Sequence, residues 1–155
     1  MKILTAYFSG SGITASAAKK AASAVGADIF EIRPKTPYTS ADLNWMDKNS
    51  RTTIEMNDEA CRPEMADAAP DMSVYDVILL GFPIWWYVEP RIIDTFLDSI
   101  DLSGKTVIPF ATSGGSGIDR AVKRLKGLYP EAVWKDGGLL NGRDPAGWAK
   151  KACMG

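Results

Sequence analysis

The sequence predicts a three-layer α/β sandwich, a parallel sheet covered on both faces by helices. Three observations predict it. Short apolar runs rich in β-branched and aromatic residues alternate with helical patterns along the whole chain. The strongest run, Tyr75–Phe82, is apolar almost without interruption, as a strand buried on both faces must be. Three loops rich in small or aromatic residues follow the first, third and fourth runs, where such sheets hold their ligands.

The elements follow in order. Lys2–Phe8 reads as a buried strand and Ser9–Gly12 as a small-residue turn. Thr14–Val25 is Ala-rich and helical, ending at Gly26. Asp28–Ile32 is a second strand, closed by Pro34. Residues 33–73 form a long excursion containing Pro34, Pro37, Pro63 and Pro70, with a helix expected over Ala41–Lys48. After the third strand, Pro90 opens a helix over Arg91–Ile100, with apolar residues at Ile92, Ile93, Phe96, Leu97 and Ile100. Lys105–Ala111 is a fourth strand and Ile118–Leu128 a helix. Glu131–Trp134 with Gly138–Leu140 supplies the last strand, and Pro145–Cys153 a terminal helix.

Length and composition bound the function. The 155 residues suit one compact domain spanning 1–155, and 46 % hydrophobic residues suffice for its core. A net charge of −1 gives no electrostatic footprint for nucleic acid. No apolar run approaches the ~20 residues that span a bilayer, and the start lacks a signal-peptide pattern, so no membrane partner and a cytoplasmic location are expected. Cys61 and Cys153 lie far apart in no metal-ligand spacing and read as ordinary thiols. There is no histidine, which excludes a Ser-His-Asp or Cys-His nucleophile and any histidine zinc site. Chemistry must come from other side chains or from a bound cofactor. Asp42, Glu89 and Asp119 lie near the loops but read as solvated acids, so no catalytic residue is assigned.

The first loop, Ser9-Gly10-Ser11-Gly12-Ile13-Thr14, joins a strand to a helix start. There, unpaired N–H groups and a partial positive charge favour an anion. Glycines let the backbone approach it, and three hydroxyls add donors. The bland alternative is a capped turn. A nucleoside-triphosphate loop is excluded, because no Lys follows Gly12. Gly10 to Ala15 also matches the G-x-G-x-x-G/A dinucleotide pattern, with Glu31 near the place of a ribose-binding acid. Against that rival stand the extra hydroxyls and the aromatics that end the third strand. Pro83-Ile84-Trp85-Trp86-Tyr87 offers more rings than a strand end can bury, and a flat apolar ring system would use them as walls. Thr112-Ser113-Gly114-Gly115-Ser116-Gly117 supplies N–H groups and hydroxyls without bulk.

At Tyr7–Thr14, Arg62-Pro63-Glu64, Tyr75-Asp76, Gly81–Trp86 and Pro109–Gly117 the sequence resembles the flavodoxin family, most closely its short bacterial members. The resemblance runs through essentially the whole chain. It implies a flavodoxin-like five-stranded parallel sheet in order 2-1-3-4-5, with FMN at its carboxyl edge. It implies that Ser9, Ser11, Gly12, Ile13 and Thr14 hold the phosphate. Pro83, Ile84, Trp85, Trp86 and Tyr87 would flank the ribityl chain and ring. Thr112, Ser113, Gly114, Gly115 and Gly117 would meet the ring's other side. The segment Tyr38–Trp45 also resembles a family motif near the flavin edge.

Two positions depart from the pattern. Ile13 replaces a common Asn but keeps its backbone N–H. Tyr87 replaces a Gly whose peptide flips to stabilise the semiquinone, so Tyr87 is expected to oppose that flip. The functional expectation is an FMN electron-transfer protein working with redox partner proteins or a small-molecule acceptor. Its modest charge argues against docking through a charged face. An NAD(P)H-dependent quinone or nitro-compound reductase, or an interaction module without flavin, are the alternatives.

Overall fold

The computed structural model describes residues 2–113 and 116–154. Its sheet is parallel throughout. β1 (Ile3–Tyr7) lies between β2 (Asp28–Glu31) and β3 (Val77–Pro83), and β4 (Thr106–Thr112) follows β3. The fifth position is filled in two pieces: β5 (Val133–Trp134) pairs the start of β4, and β6 (Gly138–Leu139) pairs its end. The order is therefore 2-1-3-4-5, as the resemblance implied.

Strand periodicity explains the two faces. Leu4, Ala6, Phe8, Ile78, Leu80 and Phe82 point to one side, where Ile92, Ile93, Phe96 and Leu97 of α3 (Arg91–Asp98) and Leu125 of α4 (Asp119–Leu128) cover them. Ile3, Tyr7, Val77, Leu79, Ile108 and Phe110 point to the other, beneath Ala17, Ala18 and Ala21 of α1 (Ile13–Val25) and Ala149 of α5 (Pro145–Met154). The alanines of α1 let it lie close on the sheet. β3 carries Ile78, Leu79, Leu80 and Phe82 fully buried, each contributing about 1.5–3 kcal/mol of transfer free energy. Gly81 is required there, because a Cβ would run into the Phe110 ring. α1 ends as expected at Gly26, which takes φ 65°.

The excursion departs from expectation over residues 41–48, which form successive turns instead of a helix. Thr39 and Asp42 cap one another's N–H groups at 3.1 and 2.9 Å. Asn44 and Asp47 accept from the N–H two residues on, at 3.2 and 2.9 Å. These local bonds compete with a helix ladder. The helix comes later, as α2 (Arg51–Met56), with the Ser50 side chain accepting from Thr53 N–H. The excursion leaves and returns side by side, with Lys35 N–H bonded to Glu64 O and Ala66 N–H to Arg33 O. It is fastened to the sandwich by Arg91, whose Nη2 donates to Met56 O at 2.8 Å. A guanidinium at the carboxyl end of α2 also meets the negative end of its dipole. Among the described residues no helix is long and apolar enough to cross a membrane.

Candidate functional site

The three loops meet at the carboxyl edge of the sheet. The first is shaped by Gly12, which takes φ 91° and leads into α1. Its N–H donates to Ser9 Oγ at 3.0 Å, so the loop caps itself. The first intrahelical bond runs from Ser16 N–H to Gly12 O, leaving the N–H groups of Ile13, Thr14 and Ala15 without an intrahelical acceptor. Ser11 and Ile13 are exposed. Thr14 is buried, and its hydroxyl meets that of Thr112 at 2.8 Å.

Beside this loop lies a cavity of about 570 Å³ lined by Leu43, Trp45, Thr52, Ile84, Trp85, Trp86, Tyr87, Ser113 and Ser116. Every one of these side chains is uncharged. Gly10 abuts it, with its Cβ position 3.5 Å from Leu43 and from Trp85. Of the residues read from sequence, Ile84, Trp85, Trp86, Tyr87 and Ser113 come together here. Pro83 ends β3 opposite Thr112 and does not line the cavity, and Gly117 is exposed beyond it. Gly114 and Gly115 lie outside the described residues. Ser9 and Gly10 line a smaller cavity of about 210 Å³ on the β2 side, with Glu31, Arg33 and Tyr38.

The Trp86-Tyr87 pair forms a tight reversal. Trp85 and Val88 exchange both backbone hydrogen bonds, at 3.0 and 3.2 Å, and Trp86 and Tyr87 both take positive φ, 49° and 72°. This is the I′ geometry usually given to Asn-Gly. The position where the resemblance implied a glycine is thus left-handed, and Tyr87 adopts it. The Arg120 guanidinium lies 5.4 Å from the Tyr87 ring centroid.

The excursion supplies a wall that sequence reading placed only loosely. Tyr38 packs edge-on against Phe8 and Trp85, with centroids 5.7 and 5.5 Å away. Its hydroxyl donates to Glu55 at 2.5 Å, and Arg51 stacks 3.8 Å from its ring while bonding Glu55 at 3.0 Å. Burial, then the Glu55 carboxylate, drives the Tyr38 pKa well up, so it remains a phenol. Leu43 and Trp45 line the cavity from the Tyr38–Trp45 segment, whereas Thr52 was missed, since nothing in its local pattern marks it. Asn141 was missed as well. Its amide clamps Ser113, accepting from the N–H at 2.7 Å and donating to the carbonyl at 2.5 Å.

Glu89 corrects an expectation. It is fully buried rather than solvated, and it pairs with Arg124, which also bonds Asp94 at 3.1 Å. The apolar residues around it left no sign of this, because its cation arrives from α4. Burial, reinforced by Asp94, raises the Glu89 pKa against the pull of Arg124. Cys61 and Cys153 are free thiols, and burial raises the pKa of both, which favours the thiol form over the thiolate. Among the described residues no cluster of ligands suits a metal ion.

Comparisons with known proteins agree with this architecture. The flavodoxin family model matches residues 2–151. Two crystal structures described as flavoproteins, from Bacteroides eggerthii DSM 20697 and Bacteroides uniformis ATCC 8492, are 48 % and 49 % identical, each with a TM-score of 0.93. The alignments cover 99 % of this chain and 99 % and 98 % of theirs. A flavoprotein in complex with FMN from Lactobacillus acidophilus NCFM shares the fold at 22 % identity and a TM-score of 0.77, covering 97 % of this chain and 98 % of its own. No curated protein matches. A match over nearly the whole length, on a sheet of this order with these loops at its carboxyl edge, makes this chain a member of the flavodoxin family.

Proposed function

We propose that this chain binds FMN and transfers electrons through it. The observation that carries the reading is the adjacency of two complementary features. A helix start with free N–H groups suits a phosphate dianion, and it abuts an aromatic, uncharged cavity of about 570 Å³ that suits a planar ring. Ser9, Ser11, Gly12, Ile13 and Thr14 would hold the phosphate. Ile84, Trp85, Trp86 and Tyr87 would wall the ring on one side, with Ser113 on the other, whereas Thr112 is buried behind the loop and does not line the cavity. FMN, when bound, supplies the redox chemistry, and the protein supplies orientation and field. An uncharged wall leaves negative charge on the reduced ring uncompensated, so the last electron enters at low potential.

The flavoprotein from Lactobacillus acidophilus NCFM that shares the fold is a complex with FMN, which supports the same cofactor here. A second reading, an NAD(P)H-dependent quinone or nitro-compound reductase, is favoured by one observation. The excursion brings Leu43, Trp45 and Thr52 to the cavity, adding an apolar and hydroxyl-bearing wall against which a substrate could rest.

The test is the visible absorption spectrum of the purified protein after FMN is added and the excess removed. A retained, perturbed flavin spectrum is expected, and its absence would overturn both readings. Rapid bleaching by NADH or NADPH would select the reductase, and indifference to both would select the carrier.

A further inference from the structure

Thr14 and Thr112 are 2 % and 6 % exposed. Their hydroxyls bond each other at 2.8 Å, and neither makes another side-chain hydrogen bond among the described residues. Two hydroxyls carry two protons, and a mutual bond uses one. The other proton has no side-chain acceptor among the described residues, and donors on buried residues are normally satisfied.

Where that proton sits depends on the direction of the bond. If Thr14 donates, the spare proton is on Thr112 at the end of β4. If Thr112 donates, the spare proton is on Thr14 in the first turn of α1, beside the N–H groups of Ile13, Thr14 and Ala15. An anion at the helix start favours the second arrangement. It accepts the Thr14 proton, and that bond strengthens the one behind it by polarisation.

We propose that Thr112 is a positioning residue for a phosphate monoester held at the first loop. Its hydroxyl donates to Thr14 Oγ1 and so commits the Thr14 proton to a phosphate oxygen. The inference rests on the FMN reading above, and it concerns the phosphate end of the ligand alone. A flavin without phosphate brings no anion to the helix start and gains nothing from the pair.

Dissociation constants for FMN and riboflavin, read from quenching of flavin fluorescence, test it. Thr112→Val removes the hydroxyl at nearly constant shape. It should weaken FMN about five- to tenfold, the scale of one hydrogen bond to a charged group, and leave riboflavin unchanged. Thr112→Ser keeps the hydroxyl and should restore the FMN-to-riboflavin ratio. Thr112→Ala gives the same reading as valine should valine not fold. Equal weakening of both flavins, or no change in either, overturns the inference while leaving the FMN function standing. A wild-type chain that retains no FMN overturns that function and this inference with it.

Discussion

The side-chain oxygens of Thr14 and Thr112 meet at 2.8 Å across 98 residues of sequence, tying the start of α1 to the end of β4. The contact welds two of the three loops to each other. Removing either hydroxyl alone strands its partner in a dry place, at about 1–3 kcal/mol. Removing both strands nothing. Urea unfolding of Thr14→Val, Thr112→Val and the double variant should therefore show the double costing less than the sum of the singles, by about 1 kcal/mol. Strict additivity would mean that the two side chains do not interact in solution.

The Trp86-Tyr87 reversal makes a second prediction. A left-handed residue other than glycine costs roughly 1–2 kcal/mol, and a β-branched one is a genuine outlier. Tyr87→Val should lower stability by at least about 1 kcal/mol more than Tyr87→Gly, because both lose the ring that Arg120 faces and only valine keeps the positive φ problem. Equal stabilities in chemical denaturation would mean that the turn abandons its I′ form.

Gly81 makes a third. An alanine there meets the Phe110 ring between the two central strands, where neither backbone can give way. Gly81→Ala should cost about 3 kcal/mol by overpacking, whereas Gly104→Ala, with open space around it, should cost only the strain of its φ of 75°. Thermal unfolding of the two variants compares them directly.

Glu89 gives a pH dependence. Its pKa rises from 4.5 in the unfolded chain to about 9 in the folded one, burial being the main cause and Asp94 the next. Between those values the folded state holds more protons than the unfolded state, so this group's contribution is fully present at low pH and is lost as pH rises towards 9. Arg124 and Asp94 face it from α4 and α3 and set the balance. Glu89→Gln, neutral throughout, should flatten the decline in stability between about pH 5 and 9. A variant whose stability falls as steeply as the wild type would show that Glu89 is not the group responsible.

The sequence alone determined what depends on neighbours along the chain. Short, nearly uninterrupted apolar runs placed β1, β3 and β4. An alanine-rich stretch ending in Gly26 placed α1, and a proline followed by spaced apolar residues placed α3. Gly and Ser between a strand and a helix marked the first loop, because helix starts leave the same N–H groups free in any protein. Local reading failed where Asp and Asn over 42–49 chose their own turns over a helix, a competition decided by side-chain geometry that composition does not show. Tertiary structure decided the rest. Leu43 and Thr52 became cavity walls only because Arg91 and the Tyr38–Glu55–Arg51 cluster fold the excursion back onto Trp85. Glu89 meets its interior partner only in the folded chain, where Arg124 reaches it from another helix. Contacts between residues tens of positions apart have no period and no composition, so they become visible only when the chain is folded.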